Sequence, residues 1–566
     1  MKSGGKSRDL HILLRERPLA ALVLIALLAW LPGFFTLPPL DRDEGRFAQA
    51  SKQMLETGDF VSIRLGEEAR DQKPVGIYWL QAASTALFSN ILPNDDALKT
   101  IWTYRIPSLA GGFAALFLTF WMTRSFAPAE TAFFAALLLG SSLLLMVETK
   151  IAKTDAFLLG TIVATQAIAL RVYLHARKPL EVPTPSRALV LLGWAAFAAG
   201  ILIKGPIIIL ITGATLLGLG LWDRKWRWLA ALRPVSGLTL ALLLVLPWAI
   251  AIGIATDGAF YANSLGGDFA SKLTGGQETH GAPPGYYTVL SFVTFWPASL
   301  VLLPGVLFAF RHRKEPAIRF LIVWAGVTWI MFEAAPTKLP HYVLPAYPAL
   351  AVMGALWLTR SGDAPDVSKI GRFLDAISPL IFLGVALVLG GLLLWAPYAF
   401  GAGPALWTFA AVPLAIALGI AATFDMWRGR RADGVVLAAL TGVLLYVVAW
   451  HGTAPALTEF TLSPRIEAAV ERHALPADPP VVLAGYAEPS VLFLLGTDSA
   501  LLTGAPAGER MSAEGGLAVI EENDRQSFLD MIAMRGMTAE SLEEIGGTNY
   551  SNGRRLNLTL YRVRPL

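Results

Sequence analysis

Runs of roughly 17 to 25 apolar residues recur along most of this chain, each long enough to cross the ~30 Å hydrocarbon core of a bilayer as an α-helix. Inside hydrocarbon every backbone N–H and C=O must be satisfied by the segment itself or by a closed barrel. The weak alternation of a barrel strand is absent, so the expected fold is an all-α polytopic membrane bundle. Composition agrees: of 566 residues, 55% are hydrophobic and 16% charged, and the mean hydropathy is +0.54. Thirteen transmembrane helices are expected, near 18–40, 105–125, 130–147, 153–173, 187–202, 204–221, 234–256, 287–310, 318–335, 341–359, 374–396, 405–425 and 434–452. The first run lacks a small-x-small cleavage site and reads as an uncleaved anchor.

Basic residues set the expected orientation. With a cytoplasmic N-terminus, Lys2, Lys6, Arg8, Arg15 and Arg17 share one side with Arg171, Arg177, Lys178 and Arg187, and with Arg224, Lys225 and Arg227. Arg311, Arg313, Lys314, Arg428, Arg430 and Arg431 fall there too, which is the positive-inside pattern. The opposite connections, 41–104, 148–153, 257–286 and 333–341, then open on the periplasmic face of a bacterial inner (cytoplasmic) membrane. Residues 1–452 read as the transmembrane domain, with 41–104 as its first periplasmic loop. Residues 453–566 read as a small periplasmic α/β domain, from strand-like runs at 480–485 and 556–563 and a helical stretch near 520–534.

The absence of cysteine excludes disulfides, thiolate metal sites and Cys nucleophiles. There is no P-loop and no Gly-x-Gly-x-x-Gly following a strand. The net charge of +4 is distributed between apolar runs as a topology signal, not as a nucleic-acid patch.

The unusual chemistry gathers in the periplasmic connections. Asp41, Arg42, Asp43, Glu44 and Arg46 follow the first span, and the spacing of 46–54 and 76–87 predicts two interfacial helices. The bland reading of these acids is a solvated helix cap. Lys73 precedes a proline and the aromatics Tyr78 and Trp79, and with Arg46 it is also what a snorkelling cation looks like. Asp155 stands at the start of the fourth span, where an ionised carboxylate near mid-membrane costs about 2.5–3.5 kcal/mol on insertion scales. It calls for a water-filled cavity, a cationic partner or a capping role shared with Thr154. Lys204 lies between two apolar runs with no room for a loop, so it emerges at the rim or enters a cavity. In 257–286, Asp268, Lys272, Gln277, Glu278 and His280 read as a polar loop, since one histidine beside a glutamate lacks a recognised ligand spacing. Lys338, His341 and Tyr342 crowd a turn that re-enters the membrane and can contact an anionic headgroup. With no nucleotide site to feed them, cations and carboxylates on one side point to a lipid-carried, phosphate-activated substrate.

The ordered stretches Asp43-Glu-Gly-Arg-Phe-Ala48, Met54-Leu-Glu-Thr-Gly-Asp-Phe60, Gln72-Lys-Pro-Val-Gly-Ile-Tyr-Trp-Leu80, Arg105-Ile-Pro-Ser108, Thr154-Asp155 and Thr337-Lys-Leu-Pro-His-Tyr-Val-Leu-Pro345 carry a resemblance. Together they resemble the polyprenyl-phosphate-dependent glycosyltransferases of the GT-C superfamily, both the protein-mannosyltransferase-like and the lipid A aminoarabinose transferase-like groups. The resemblance implies inverting transfer of a sugar from a polyprenyl (undecaprenyl) phosphate carrier to a periplasmic acceptor such as lipid A or lipopolysaccharide. A protein or another envelope glycan is the alternative acceptor. It also implies that Asp43 is the essential first-loop acid with Glu44 beside it, that Asp155 is a second active-site acid, and that Arg46 and Lys73 hold the carrier phosphate. Tyr78, Lys204, Lys338, His341 and Tyr342 complete the donor-binding candidates. The aminoarabinose transferases commonly have Glu before the loop lysine and use it with a later histidine around a metal. Here that position is Gln72, a poor zinc ligand, so no metal cofactor is expected to be required, and His280 is a weak candidate ligand. A transporter or flippase is the rival class, but it favours midplane charges and repeat symmetry, and this sequence shows rim charges and no repeat.

Overall fold

The computed structural model describes residues 17–40, 42–92, 96–269, 282–360 and 368–565. Asp41, the basic residues before Arg17, and Lys272, Gln277, Glu278 and His280 lie outside them, as does the Asp268 side chain. Among the described residues ten helices are long and apolar enough to cross a membrane: Ile101–Thr123, Asp155–Arg177, Arg187–Lys204, Pro206–Asp223, Pro234–Ala255, Pro316–Ala334, Pro340–Arg360, Lys369–Phe400, Thr408–Trp427 and Arg431–Ala456. The chain is a multi-pass membrane protein.

The other three expected spans hold the shorter apolar helices Pro18–Trp30, Ala129–Ser141 and Ala298–Arg311. Their hydrophobicity is continuous while their backbone is not. Leu31-Pro32-Gly33 ends the first, an extended Ser142 ends the second, and Pro297 separates the third from the helix Tyr286–Thr294. Proline removes an amide donor and disfavours helix in the residue before it.

Six helices at one end of the bundle build the site: α1 (Pro18–Trp30), α2 (Arg42–Thr57), α3 (Gly76–Ser89), α4 (Ile101–Thr123), α5 (Asp155–Arg177) and α6 (Arg187–Lys204). The turn between α1 and α2 leaves carbonyls with no helical partner, and two buried cations satisfy them. Arg105 of α4 donates to the carbonyls of Phe34 and Leu37, both at 3.0 Å, and Pro38 at 2.8 Å. The same guanidinium grips Glu44 in a fork, Nε to Oε1 at 2.8 Å and Nη2 to Oε2 at 3.0 Å. Glu44 also accepts from the amides of Leu40 at 2.6 Å and Ala152 at 2.9 Å. Lys150 donates to the carbonyls of Trp30 and Pro32.

Helix α2 departs from the expectation of a lipid-facing interfacial helix. Residues 47–54 are buried all round, and their polar side chains are paired inside the protein. Ser51 Oγ meets Gln81 Oε1 of α3 at 2.7 Å, while Gln53 exchanges hydrogen bonds with Gly66 at 2.8 and 2.9 Å. Helix α3 exposes Trp79 and Leu87, as a surface helix should. At the far end of the bundle Asp223 accepts from Tyr173 at 2.6 Å and pairs with Arg177 and Arg319.

The C-terminal part is a five-stranded mixed sheet, and strands β1 (Arg64–Leu65) and β2 (Glu68–Ala69) form a separate small hairpin. Its strands β3 (Val482–Ala484), β4 (Ala500–Leu502), β5 (Gly516–Glu521), β6 (Met537–Thr548) and β7 (Arg555–Pro565) lie in the order β4-β3-β5-β7-β6. The first three are parallel, and β7 pairs antiparallel with β5 and β6. Both faces are covered: Leu462 and Ile466 pack on one, Met511, Phe528 and Ile532 on the other.

Removing one partner of a buried, hydrogen-bonded ion pair costs about 3–5 kcal/mol. Arg105→Leu is therefore expected to lower the thermal unfolding midpoint of the detergent-purified protein sharply; an unchanged midpoint would show that this pair does not hold the α1–α2 turn.

Candidate active site

A cavity of about 300 Å³ opens at this end of the bundle. Its lining combines apolar side chains, among them Leu158, Ile201, Ile207, Leu210, Val245, Trp248 and Phe260, with the charged or titratable Asp43, Lys73, Lys153, Asp155, Lys204 and His341.

Each charged group is delivered by a helix end or a turn. Asp43 lies in the first turn of α2, where the helix dipole favours a carboxylate, and Arg46 one turn on meets it at 3.2 Å. Lys73 stands in the turn before α3. Lys153 and Thr154 lead into α5, whose first residue is Asp155. Lys204 ends α6, and Gly205, with φ at +59°, reverses the chain before Pro206 starts the next helix. That conformation suits glycine, and it explains how the lysine reaches the cavity without a loop.

Asp155 has the cationic partner its location requires: Lys204 Nζ lies 2.6 Å from Oδ1. Thr154 Oγ1 lies 3.3 Å from Oδ2, and His341 Nε2 lies 3.9 Å from the same oxygen. The other ring nitrogen of His341 is 4.0 Å from Glu148 Oε1, which is 3.9 Å from Lys153 Nζ. Lys204 also sits over the Tyr342 ring, 5.8 Å from its centroid. The Asp43 side chain remains 43% exposed. Burial pushes its carboxyl up, but the charges of Lys153, Arg46 and Arg70 outweigh that and hold it below the ordinary value.

Of the expected site residues, Asp43, Lys73, Asp155, Lys204, His341 and Tyr342 line the cavity. Glu44 does not: it is fully buried beneath Arg105, with both oxygens occupied. Arg46 flanks the cavity through Asp43. Tyr78 is enclosed under Phe47, and its hydroxyl accepts from Arg70 Nε at 3.0 Å. Lys338 is buried outside the lining. It donates to the carbonyls of Glu333 at 2.5 Å and Ala335 at 3.2 Å, closing the end of the helix Pro316–Ala334 where no amide follows to accept that task.

Lys153 and Arg70 were not foreseen as site groups. Lys153 had a signal, standing two residues before Asp155 in a turn too short to carry it away; Arg70 had none. Gln72 lines the cavity with a neutral amide. Among the described residues no three or more His, Asp or Glu are placed to hold a metal ion; the candidate ligand His280 lies outside them.

A family model described as dolichyl-phosphate-mannose-protein mannosyltransferase matches residues 72–250. An undecaprenyl phosphate-alpha-4-amino-4-deoxy-L-arabinose arabinosyl transferase of Pseudomonas paraeruginosa is 28% identical over 387 residues, 66% of this chain and 65% of that protein. The corresponding transferase of Pectobacterium carotovorum is 29% identical over 379 residues, 64% of each chain. The matched region thus spans just under two thirds of these relatives. The crystal structure of ArnT from Cupriavidus metallidurans bound to undecaprenyl phosphate superposes with a TM-score of 0.73, at 19% identity, covering 95% of this chain and 97% of that one. The chain is thus similar in sequence to polyprenyl-phosphate-dependent glycosyltransferases and shares the fold of ArnT. The archaeal oligosaccharyltransferase AglB from Archaeoglobus fulgidus is a more distant fold neighbour, with a TM-score of 0.52 at 13% identity over 92% of this chain and 71% of that one.

Lys338→Met is expected to lower the thermal unfolding midpoint of the detergent-purified protein, because it leaves the carbonyls of Glu333 and Ala335 without their donor; an unchanged midpoint would show that Lys338 does not hold this helix end.

Proposed function

We propose that this protein transfers a sugar, with inversion, from a polyprenyl (undecaprenyl) phosphate carrier to an acceptor of the cell envelope. The reading places it in a bacterial inner membrane with the cavity on the periplasmic side. One observation carries it: a carboxylate, Asp43, and the cations Lys73, Lys153 and Lys204 share a single cavity with many apolar side chains. An isoprenoid tail suits the apolar lining, and a phosphate suits the lysines.

The step follows from those groups. The bond between the anomeric carbon and the phosphate oxygen breaks, its electron pair going to the phosphate. Preorganised cations in a water-poor site stabilise that developing charge most; Lys73 and Lys204 supply them. The acceptor oxygen attacks from the opposite face of the sugar. For a hydroxyl acceptor Asp43 takes the proton; for a phosphate acceptor no base is needed, and Asp43 orients the acceptor. The relatives are named for 4-amino-4-deoxy-L-arabinose on undecaprenyl phosphate, which makes that donor, with lipid A or lipopolysaccharide as acceptor, the first pair to test. Mass spectra of lipid A, core oligosaccharide and periplasmic glycoproteins from a deletion strain identify sugar and acceptor together; unchanged masses in all three would overturn the reading.

General acid–base groups contribute about 10²- to 10⁴-fold. With a hydroxyl acceptor, Asp43→Asn is expected to lower turnover by at least about 100-fold without lowering protein yield, measured in proteoliposomes; near-normal turnover on that acceptor would remove Asp43 as its base.

With its carboxyl held below the ordinary value, Asp43 stays ionised as the pH falls from neutral. The acid side of the kcat/KM profile is therefore expected to be flat from about pH 7 to about pH 5 as far as Asp43 is concerned. An acid limb centred near pH 6 that disappears in Asp43→Asn would contradict an ionised Asp43 at rest.

A further inference from the structure

The sheet domain is docked on the back of the helix that carries Asp43. Helix α7 (Pro489–Leu495), which follows β3, is buried over residues 489–494. Its Phe493 and Leu494 form a separate apolar cluster with Ala48 of α2, Ile101 and Tyr104 of α4, and Ala152. Ala152 belongs to the turn that delivers Lys153 and Asp155. The Phe493 ring meets Tyr104 edge-on with centroids 5.3 Å apart, and the Phe493 carbonyl accepts from buried Lys52 Nζ at 3.0 Å. Gln49 Nε2 donates to Thr497 Oγ1 at 2.7 Å, and Thr497 Oγ1 donates to Glu56 Oε2 at 2.6 Å.

Helical geometry gives these contacts their meaning. Residues three, four and seven apart share one helix face. Gly45, Gln49, Lys52 and Glu56 are so spaced and form the stripe that meets α7 and the Thr497 that follows it. Asp43 and Phe47, on another stripe, line the cavity. The approach is closest at Gly45, between the Asp43-Glu44 pair and Arg46, where an added Cβ would stand 2.8 Å from the Ser490 amide nitrogen and 3.1 Å from the Pro489 carbonyl carbon. Helix α7 is itself fixed to its domain, since Ser490 Oγ lies 2.8 Å from Ser463 Oγ, which lies 2.8 Å from the Tyr486 hydroxyl.

We propose that α7 is a positioning wedge: Phe493 and Leu494 set the separation between the α2 turn bearing Asp43 and the turn bearing Lys153 and Asp155, so the sheet domain is a working part of the active site. This rests on the sugar-transfer reading above. Phe493 touches no reacting group; it acts through Ala152, which adjoins Lys153, and through Ala48, which lies just over one helical turn along α2 from Asp43. An ångström of misplacement in such a site costs on the order of 100-fold in rate, whereas binding of a lipid phosphate also draws on Lys73, before α3, and Lys204, at the end of α6, which lie on neither turn.

The test uses the full chain in proteoliposomes, with turnover read on the donor and acceptor identified by the mass spectra and binding read with undecaprenyl phosphate alone. Phe493→Ala is expected to lower kcat about tenfold or more, with undecaprenyl phosphate affinity within about threefold of wild type, and Phe493→Leu to restore most of the rate. Gly45→Ala, which pushes α7 away by a single methyl group, is expected to reproduce the kcat loss and serves where Phe493→Ala does not yield folded protein. Wild-type kcat in Gly45→Ala or in folded Phe493→Ala would overturn the wedge and leave the function standing. Parallel loss of binding and rate would also overturn it, as general collapse. No sugar transfer by the wild-type chain would instead overturn the functional reading on which the wedge rests.

Discussion

The pair between Arg105 and Glu44 is the interaction on which the rest depends. A span that stops after thirteen residues at Trp30 must turn back with its carbonyls exposed to a protein interior, where an unpaired polar group costs several kcal/mol. Arg105 supplies donors to three of those carbonyls and to a carboxylate at once. Glu44 in turn takes the amide of Ala152. One ion pair therefore fixes the end of the first helix, the start of α2 and the turn before α5 relative to each other. Asp43 is the residue next to Glu44, and Lys153 and Asp155 follow Ala152, so the hub sets where the opposing charges of the cavity begin.

Hydrophobic length made the spans legible in the sequence, and the same property concealed where three of them break. A run of apolar residues reports what solvent it tolerates; the helix ends at Pro32, Ser142 and Pro297 come from backbone chemistry inside those runs. The one-sided gathering of charge was also legible, and it located Asp43, Lys73, Asp155 and Lys204 on one cavity. Their neighbours were harder. Asp43 and Glu44 are adjacent and chemically alike, but successive residues point about 100° apart on a helix of 3.6 residues per turn, so one faces the cavity and the other the core. Lys338 and Lys204 both stand in short periplasm-like turns of the sequence. Only the three-dimensional arrangement separates a lysine that closes a helix end from one that lines the cavity. Likewise the polar side chains of α2 suggested an exposed face, because their partners, Gly66, Gln81 and Phe493, are distant in the chain.

The two cavity carboxylates differ in a way that assigns them different work under the proposed reading. Asp155 has a side chain only 8% exposed and is held by Lys204 at 2.6 Å; a proton moved there would break a buried ion pair, which is expensive. It is suited to holding Lys204 in place against the cavity wall. Asp43 is 43% exposed, paired with Arg46 at a looser 3.2 Å, and surrounded by cations that favour its ionised form without enclosing it. It can turn toward an incoming acceptor and take a proton while its charge environment is maintained by residues that stay put. The two acids are thus separated by enclosure: one is locked in a buried ion pair, the other stands at the rim. Under that reading α2 is held at two places, by the Arg105–Glu44 pair at its start and by the sheet domain at Gly45 and Ala48, so an acid that works at an open rim is carried on a helix packed from behind.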